Sequence, residues 1–308
     1  MHSVVPEPRP EPGSAARRRA WAVLSRAAVH TPQRVHQLLD EYGPEEAADQ
    51  IVTGTAEYPA DPHAFARADR DLESAAAAGG RLVARDDPDW PARLANVGAC
   101  WGDSSVPVAL WVRGSAPLDT FARTVAVTGA AAATDYGLHV AADLTRGLAA
   151  HDRTIINGGA FGVDAAALTA ALSADAPAIA VLPAGLDRPH PHQQADLFTR
   201  IADHGVLVSE YPPGTLPRRA RFQDRHRLVA ALSTGVVVCE SGVRSSSLHA
   251  LRWARRLRRP VAAIPGSIYS ASSRGCHQLI RDGHAHLATS VDDVLDLVTG
   301  RHTQGGNR

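Results

Sequence analysis

The sequence predicts an α/β fold: a doubly wound, mostly parallel sheet preceded by a small all-α module. Three observations carry this. From Thr124 onward, six short apolar runs alternate with helix-length amphipathic stretches. Glycines follow several of those runs, where strands end. Ahead of residue 81, apolar residues recur only at helical spacing. Strands alternating with helices require βαβ crossovers and a sheet covered on both faces.

Residues 1–15 (MHSVVPEPRPEPGSA) are Pro-rich without apolar periodicity and read as a disordered tail. In 16–80, Trp21, Val23 and Leu24, then Val35, Leu38 and Leu39, fit helix faces, with breaks at Thr31-Pro32 and Tyr42-Gly43-Pro44. Gly54 ends another short helix, and Phe65 to Ala78 reads as one more. This is a small helical module of the SAM or helix-hairpin kind, read as a docking or packing unit. Residues 81–122 form a connector packing on the sheet, with short strands at Arg81 to Ala84 and Val108 to Val112. Residues 123–299 hold the α/β domain. Its strands are Val125 to Thr128, Thr154 to Asn157, Ala178 to Leu182, Val206 to Ser209, Val236 to Cys239 and Val261 to Ile264. Its helices are expected at 135–150, 163–174, 192–204, 223–233 and 245–258. The polar residues 300–308 read as a second tail.

Hydrophobic residues make up 44% of the 308, which excludes wholesale disorder. Every basic residue is arginine, 32 against 32 acids. The balance is uneven: residues 213–281 hold 13 arginines and two acids, Asp224 and Glu240, a net of +11. Such a segment is a footprint for a polyanion, or pairs with the acidic segments or a second subunit. Cys100, Cys239 and Cys276 stand far apart, which argues against a disulfide framework or a Cys-rich zinc site. No apolar run reaches the roughly 18 to 20 residues of a membrane span, and Pro and Glu stand where a signal peptide needs apolar residues. A soluble cytoplasmic protein is expected.

In doubly wound sheets, ligands sit at the carboxyl ends of the strands. Strand one ends in Thr128-Gly129-Ala130, and strand two in Asn157-Gly158-Gly159-Ala160-Phe161-Gly162. Gly129, Ala130, Gly158, Gly159 and Gly162 are therefore a candidate phosphate nest of backbone N–H groups. The spacing is not G-x-G-x-x-G and no acid ends the second strand, so a dinucleotide cofactor is not supported, and no cofactor is expected. Asp164 reads as a holder of the Gly-rich loop. After strand four, Arg218, Arg219, Arg221, Arg225 and Arg227 flank Phe222. Guanidinium groups suit phosphate, and an aromatic ring can stack on an unpaired base. The other reading puts Phe222 in the core and the arginines in solvent. Arg244 and Ser245 follow strand five at a helix start; no G-x-S-x-G accompanies Ser245. Arg252, Arg255 and Arg259 share one helix face, read as solvated. No metal-ligand spacing is found around His277, His284 and His286.

These segments, in this order, resemble the Smf/DprA family of DNA-processing proteins over roughly 20–298. They are VAVTG (125–129), NGGAFGVDAAAL (157–168), AIAVLPAGLD (178–187), LVSEYPPGTLPRRARFQDRHRLVAALS (207–233), VVVCESGVRSSSLHAL (236–251) and IPGSIYSASSRGCHQLIRDG (264–283). The resemblance implies a Rossmann-like domain that binds single-stranded DNA, interacts with the recombinase RecA in natural transformation, forms a homodimer through that domain, and is not an enzyme. It implies that Phe222 stacks on a base, that Arg221, Arg225 and Arg227 contact phosphates, and that Arg244, Ser245 and His277 complete the groove. The chain departs from the family pattern at Ala131, where an Arg is usual, and at Asn157, Leu168 and His226. Two other functions are kept open: a nucleotide-sensing or scaffold paralogue, and a phosphoribohydrolase-like enzyme, whose P-G-G-x-G-T-x-x-E signature is missing after strand five.

Overall fold

The computed structural model describes residues 14–55, 58–102, 105–116, 122–243, 245 and 248–301. Most of the two tails lies outside the described residues. The first helix nevertheless starts inside the expected N-terminal tail: Ser14 caps α1 (Ala15–Ala28), its hydroxyl accepting from the Arg17 amide. Three helices follow, α2 (Pro32–Tyr42), α3 (Pro44–Thr53) and α4 (Ala64–Ala77). Pro32 and Pro44 open theirs, where a missing N–H costs nothing.

Among the described residues, nine strands form one sheet. They are β1 (Gly80–Ala84), β2 (Ala109–Arg113), β3 (Thr124–Thr128), β4 (Thr154–Asn157), β5 (Ala178–Leu182), β6 (Val206–Ser209), β7 (Val236–Val238), β8 (Val261–Ala263) and β9 (His286–Leu287). Their spatial order is β1-β2-β6-β5-β4-β3-β7-β8-β9. The strands from β3 to β9 pair in parallel, while β1 and β2 pair antiparallel at one edge. Within the expected connector, β1 and β2 thus extend the sheet itself, with Trp111 opposite Ser209. Between β1 and β2 the chain adds α5 (Ala95–Trp101), and after β3 come α6 (Asp135–Ala149), α7 (Val163–Ser173), α8 (Ala195–His204), α9 (Arg219–Leu232), α10 (Leu248–Arg256), α11 (Arg274–Arg281) and α12 (Val291–Thr299).

The period of two in the strands divides the core between two faces. Val125, Val127, Ile155, Ala180, Leu207 and Val237 point to one face with residues of α1–α4, α6, α7, α8 and α12. Ala126, Ile156, Ile179, Val181, Val208 and Val236 point to the other, against Val97 of α5, Leu228 and Leu232 of α9, Ala254 of α10 and Cys276 of α11. The front helices latch onto the sheet by polar contacts too. The Trp111 indole donates to Ser25 at 3.0 Å, and Arg26 joins Asp71 to the Pro213 carbonyl.

The chain runs outward from β3 through β4 and β5 to β6, and then α9 carries it back to β7, beside β3. The order reverses between β3 and β7. A crevice opens at such a switch point, outside the carboxyl ends. Here those ends are tied together: the Cys239 amide donates to Thr128 O at 3.0 Å and the Ala130 amide to Glu240 O at 2.8 Å.

Candidate nucleic-acid interface

The Gly-rich turn after β4 is organised around Asp164, which is buried on the first turn of α7. Its carboxylate accepts from the Thr128 hydroxyl at 2.8 Å, the Gly158 amide at 3.1 Å and the Ala160 amide at 3.3 Å. Asn157 accepts the Gly159 amide at 2.9 Å and donates to the Val127 and Asp164 carbonyls. Gly162 adopts φ +70°, and a Cβ there would run into the carbonyls of Ala130 and Ala131. The nest expected here is therefore filled from within. The amides of Gly158 and Gly159 go to the chain's own acceptors, and that of Ala130 to Glu240. Gly129 lies against Val163 and Glu240, a packing role. The loop-holding role expected of Asp164 is what the hydrogen bonds show.

The arginines of α9 also differ from the expectation. Arg225 is buried beneath the turn and donates to the Gly158 carbonyl. Its guanidinium occupies the space that a side chain at position 158 would need. Burial pushes the Arg225 cation down and the Asp164 carboxyl up, and each charge opposes the shift in the other. Arg227 is buried between Glu210 and the Ser105 carbonyl, donating to both. Burial disfavours its cation, but the charge and hydrogen bond of Glu210 outweigh this and hold it above the ordinary value. Arg221 donates to the Leu216 carbonyl and lies 4.9 Å over the Tyr211 ring. All three expected phosphate ligands are thus engaged inside the fold. A buried cation needs a partner, and these find theirs in the chain.

Phe222 is half-buried. His190 meets its ring edge-to-face at 5.4 Å, and Arg225 stands 5.1 Å over it, so the ring expected to stack on a base already has neighbours. His277, also half-buried, bonds Gly266 through Nε2, at 3.0 Å from the carbonyl oxygen, and braces the loop after β8. Ser245 is half-exposed, its amide donating to Gly242 O at 3.1 Å. Arg244 lies outside the described residues. Among the described residues, exposed cations at this end of the sheet include Arg218 and Arg219 at the start of α9, Arg274 at the start of α11, and Arg188 after β5, which pairs with Asp187.

Glu240, the acid after β7, is buried and clasps the N-terminus of α6, accepting from the Thr134 amide at 2.8 Å and hydroxyl at 2.7 Å. Gly137 leaves it room, since a Cβ there would strike the carboxylate. The geometry makes Glu240 a helix clasp rather than a group presented to a substrate. Sequence reasoning missed Glu210 as a counter-charge. The signal was available: Glu210 and Asp224 are the acids closest to a run of arginines, and burying such a run requires them.

His226 is buried beside Arg225 and stacks on His249 at 6.3 Å. Burial first, then the Arg225 charge and His249, push its imidazole down to about 3. The folded-state value lies below the unfolded one, near 6.5. The stability carried by the neutral ring is therefore present above about pH 6.5 and is lost as pH falls toward 3. Between about pH 6.5 and pH 5 the loss is about 2 kcal/mol, at 1.36 kcal/mol per unit. Urea midpoints at both pH values measure it, and His226→Asn is expected to lack this share of the drop.

Among the described residues no cluster of His, Cys, Asp and Glu could hold a metal, and no helix is long and apolar enough to cross a membrane. A cleft of about 260 Å³ lies between α1, α2 and the end of β6, lined by His36, Glu210, Tyr211, Asp224, Arg227 and Trp253.

A family profile describing DNA recombination-mediator protein A matches residues 81–299, most of the chain. The chain belongs to this family. A Mycobacterium tuberculosis protein (strain H37Rv) named "Putative DNA processing protein DprA" is 46% identical over 294 residues, covering 91% of this chain and 75% of that one. The DNA processing protein A (DprA) of Streptococcus pneumoniae, solved by X-ray, superposes with a TM-score of 0.71 at 31% identity, over 90% of this chain and 96% of that one. The DNA processing protein A of Helicobacter pylori superposes at 0.62 with 24% identity, over 73% and 97%, and shares the fold. The Smf/DprA resemblance and the Rossmann-like, doubly wound architecture both stand.

Proposed function

We propose that the chain binds single-stranded DNA across the carboxyl edge of its sheet, without catalysis. In this reading it protects an incoming strand in the cytoplasm and loads the RecA recombinase onto it during natural transformation and recombination, as a homodimer formed through the α/β domain. The observation that carries the reading is its kinship with a DprA protein over 91% of its length. Two others support it. The Helicobacter pylori structure, whose fold the chain shares, is described for its single-stranded-DNA binding mode. Arg218, Arg219 and Arg274 stand exposed at that edge.

Fluorescence anisotropy of a labelled oligo-dT across a salt series, against the matching duplex, tests the proposal. Preference for the single strand is expected, with log affinity falling linearly in log salt by about 0.7 per phosphate contact. Equal affinity for duplex, or none at low salt, overturns it. RecA loading is tested separately, by whether the protein speeds RecA assembly on the same strand.

The nucleotide-sensing reading draws on one observation, the cleft beside Glu210 and Arg227. At about 260 Å³ it falls below the roughly 300–1,000 Å³ of small-molecule pockets. A mononucleotide that raises the melting temperature would favour it over the first reading.

A further inference from the structure

Large apolar side chains exposed to water call for an occupant when they gather in one place. Three exposed aromatic rings stand on loops that leave the carboxyl edge. Tyr269, in the loop between β8 and α11, is 91% exposed; Phe161, at the tip of the Gly-rich turn, is 46%; Tyr136, on the first turn of α6, is 45%. Their loops follow β8, β4 and β3, which all end on this edge. They also touch one another: the Tyr136 hydroxyl donates to the Pro265 carbonyl, tying the loop after β3 to the loop after β8. Gly162, next to Phe161, packs on the carbonyls of Ala130 and Ala131.

The segment that presents Tyr269 is built. The Ser270 amide donates to Ser267 O at 3.0 Å, the Tyr269 amide to the Ser267 hydroxyl at 3.3 Å, and the Ser272 amide to the Ser270 hydroxyl at 3.2 Å. His277 holds Gly266 from behind. Ile268 beside it is 74% exposed, so the tip carries two apolar side chains outward. Arg274, five residues on, is exposed and has no ion-pair partner among the described residues. Phe222, by contrast, is flanked by His190 and Arg225.

We infer that unpaired bases of a bound strand stack on Tyr269 and Phe161, with Tyr136 joining the two loops and Arg274 meeting the backbone. This rests on the proposed function and moves its stacking surface away from Phe222. Aromatic faces accept any base, while an adjacent cation selects a polyanion over an uncharged apolar partner.

The test compares Tyr269→Ala, Tyr269→Phe and Phe161→Ala on oligo-dT and on an abasic strand of equal length. Each alanine variant is expected to weaken oligo-dT binding about 5- to 150-fold. Both should bind the abasic strand as the unaltered protein does and keep its salt slope, because no phosphate contact is lost. Tyr269→Phe should retain affinity. Unchanged oligo-dT affinity in both alanine variants overturns the inference. So does a shift in sedimentation with affinity intact, which would make this face a contact between copies of the chain. If the unaltered protein binds no single strand, the proposed function falls first and this inference with it.

Discussion

Asp164→Ala is expected to destabilise the protein by about 3 kcal/mol or more. The substitution removes the acceptor of three hydrogen bonds, from Thr128, Gly158 and Ala160. It also removes the charge that opposes the buried Arg225 cation. A buried donor left unsatisfied costs about 1–3 kcal/mol, and breaking a buried charge pairing about 3–5 kcal/mol. Adding Arg225→Met to Asp164→Ala takes away the stranded cation, so the double variant should recover part of the loss. Urea denaturation of the four proteins in that cycle gives the coupling. Additive losses would show that the two groups act independently, contrary to the geometry.

Arg227→Met is expected to cost a similar amount, about 3–5 kcal/mol, by leaving Glu210 half-buried without its counter-charge and close in charge to Asp224. Burial and the Glu210 charge already hold the Asp224 carboxyl above the ordinary range. Glu210→Gln in the Arg227→Met background should restore much of the stability. The outcome separates two roles. A phosphate ligand, when removed, lowers DNA affinity and shortens the salt slope while stability stays level. An internal brace, when removed, lowers stability while the salt slope of the folded protein stays level. The position of Arg227 between Glu210 and Ser105 predicts the second outcome.

The strands from β3 to β8 were legible because each is a short apolar run buried on both faces, and such runs stand out against the helices between them. β9 was not, since His286–Leu287 is two exposed residues paired to β8 by register alone. The antiparallel pairing of β2 with β6 was equally hidden, because it joins segments distant in sequence. At the site, Asp164 was readable as a loop holder from its place just after the glycines. The arginines misled for a physical reason. Charged residues at a helix start read as solvent-facing, and α9 begins at Arg219 rather than near 223. Only the return path of α9 across the sheet shows that Arg225 meets Gly158 and Arg227 meets Glu210. Tyr269 was passed over because one aromatic among serines has no periodicity to mark it.

In the proposed function, the carboxyl edge of the sheet is the DNA-binding surface, with Arg225 and Arg227 bracing it from inside. Amide hydrogen exchange, with and without a saturating oligo-dT, tests it most directly. Slowed exchange is expected in 129–136, 158–162 and 265–274, the loops after β3, β4 and β8. Slowing confined to α1–α4, or to the arginine-bearing end of α10, would contradict it.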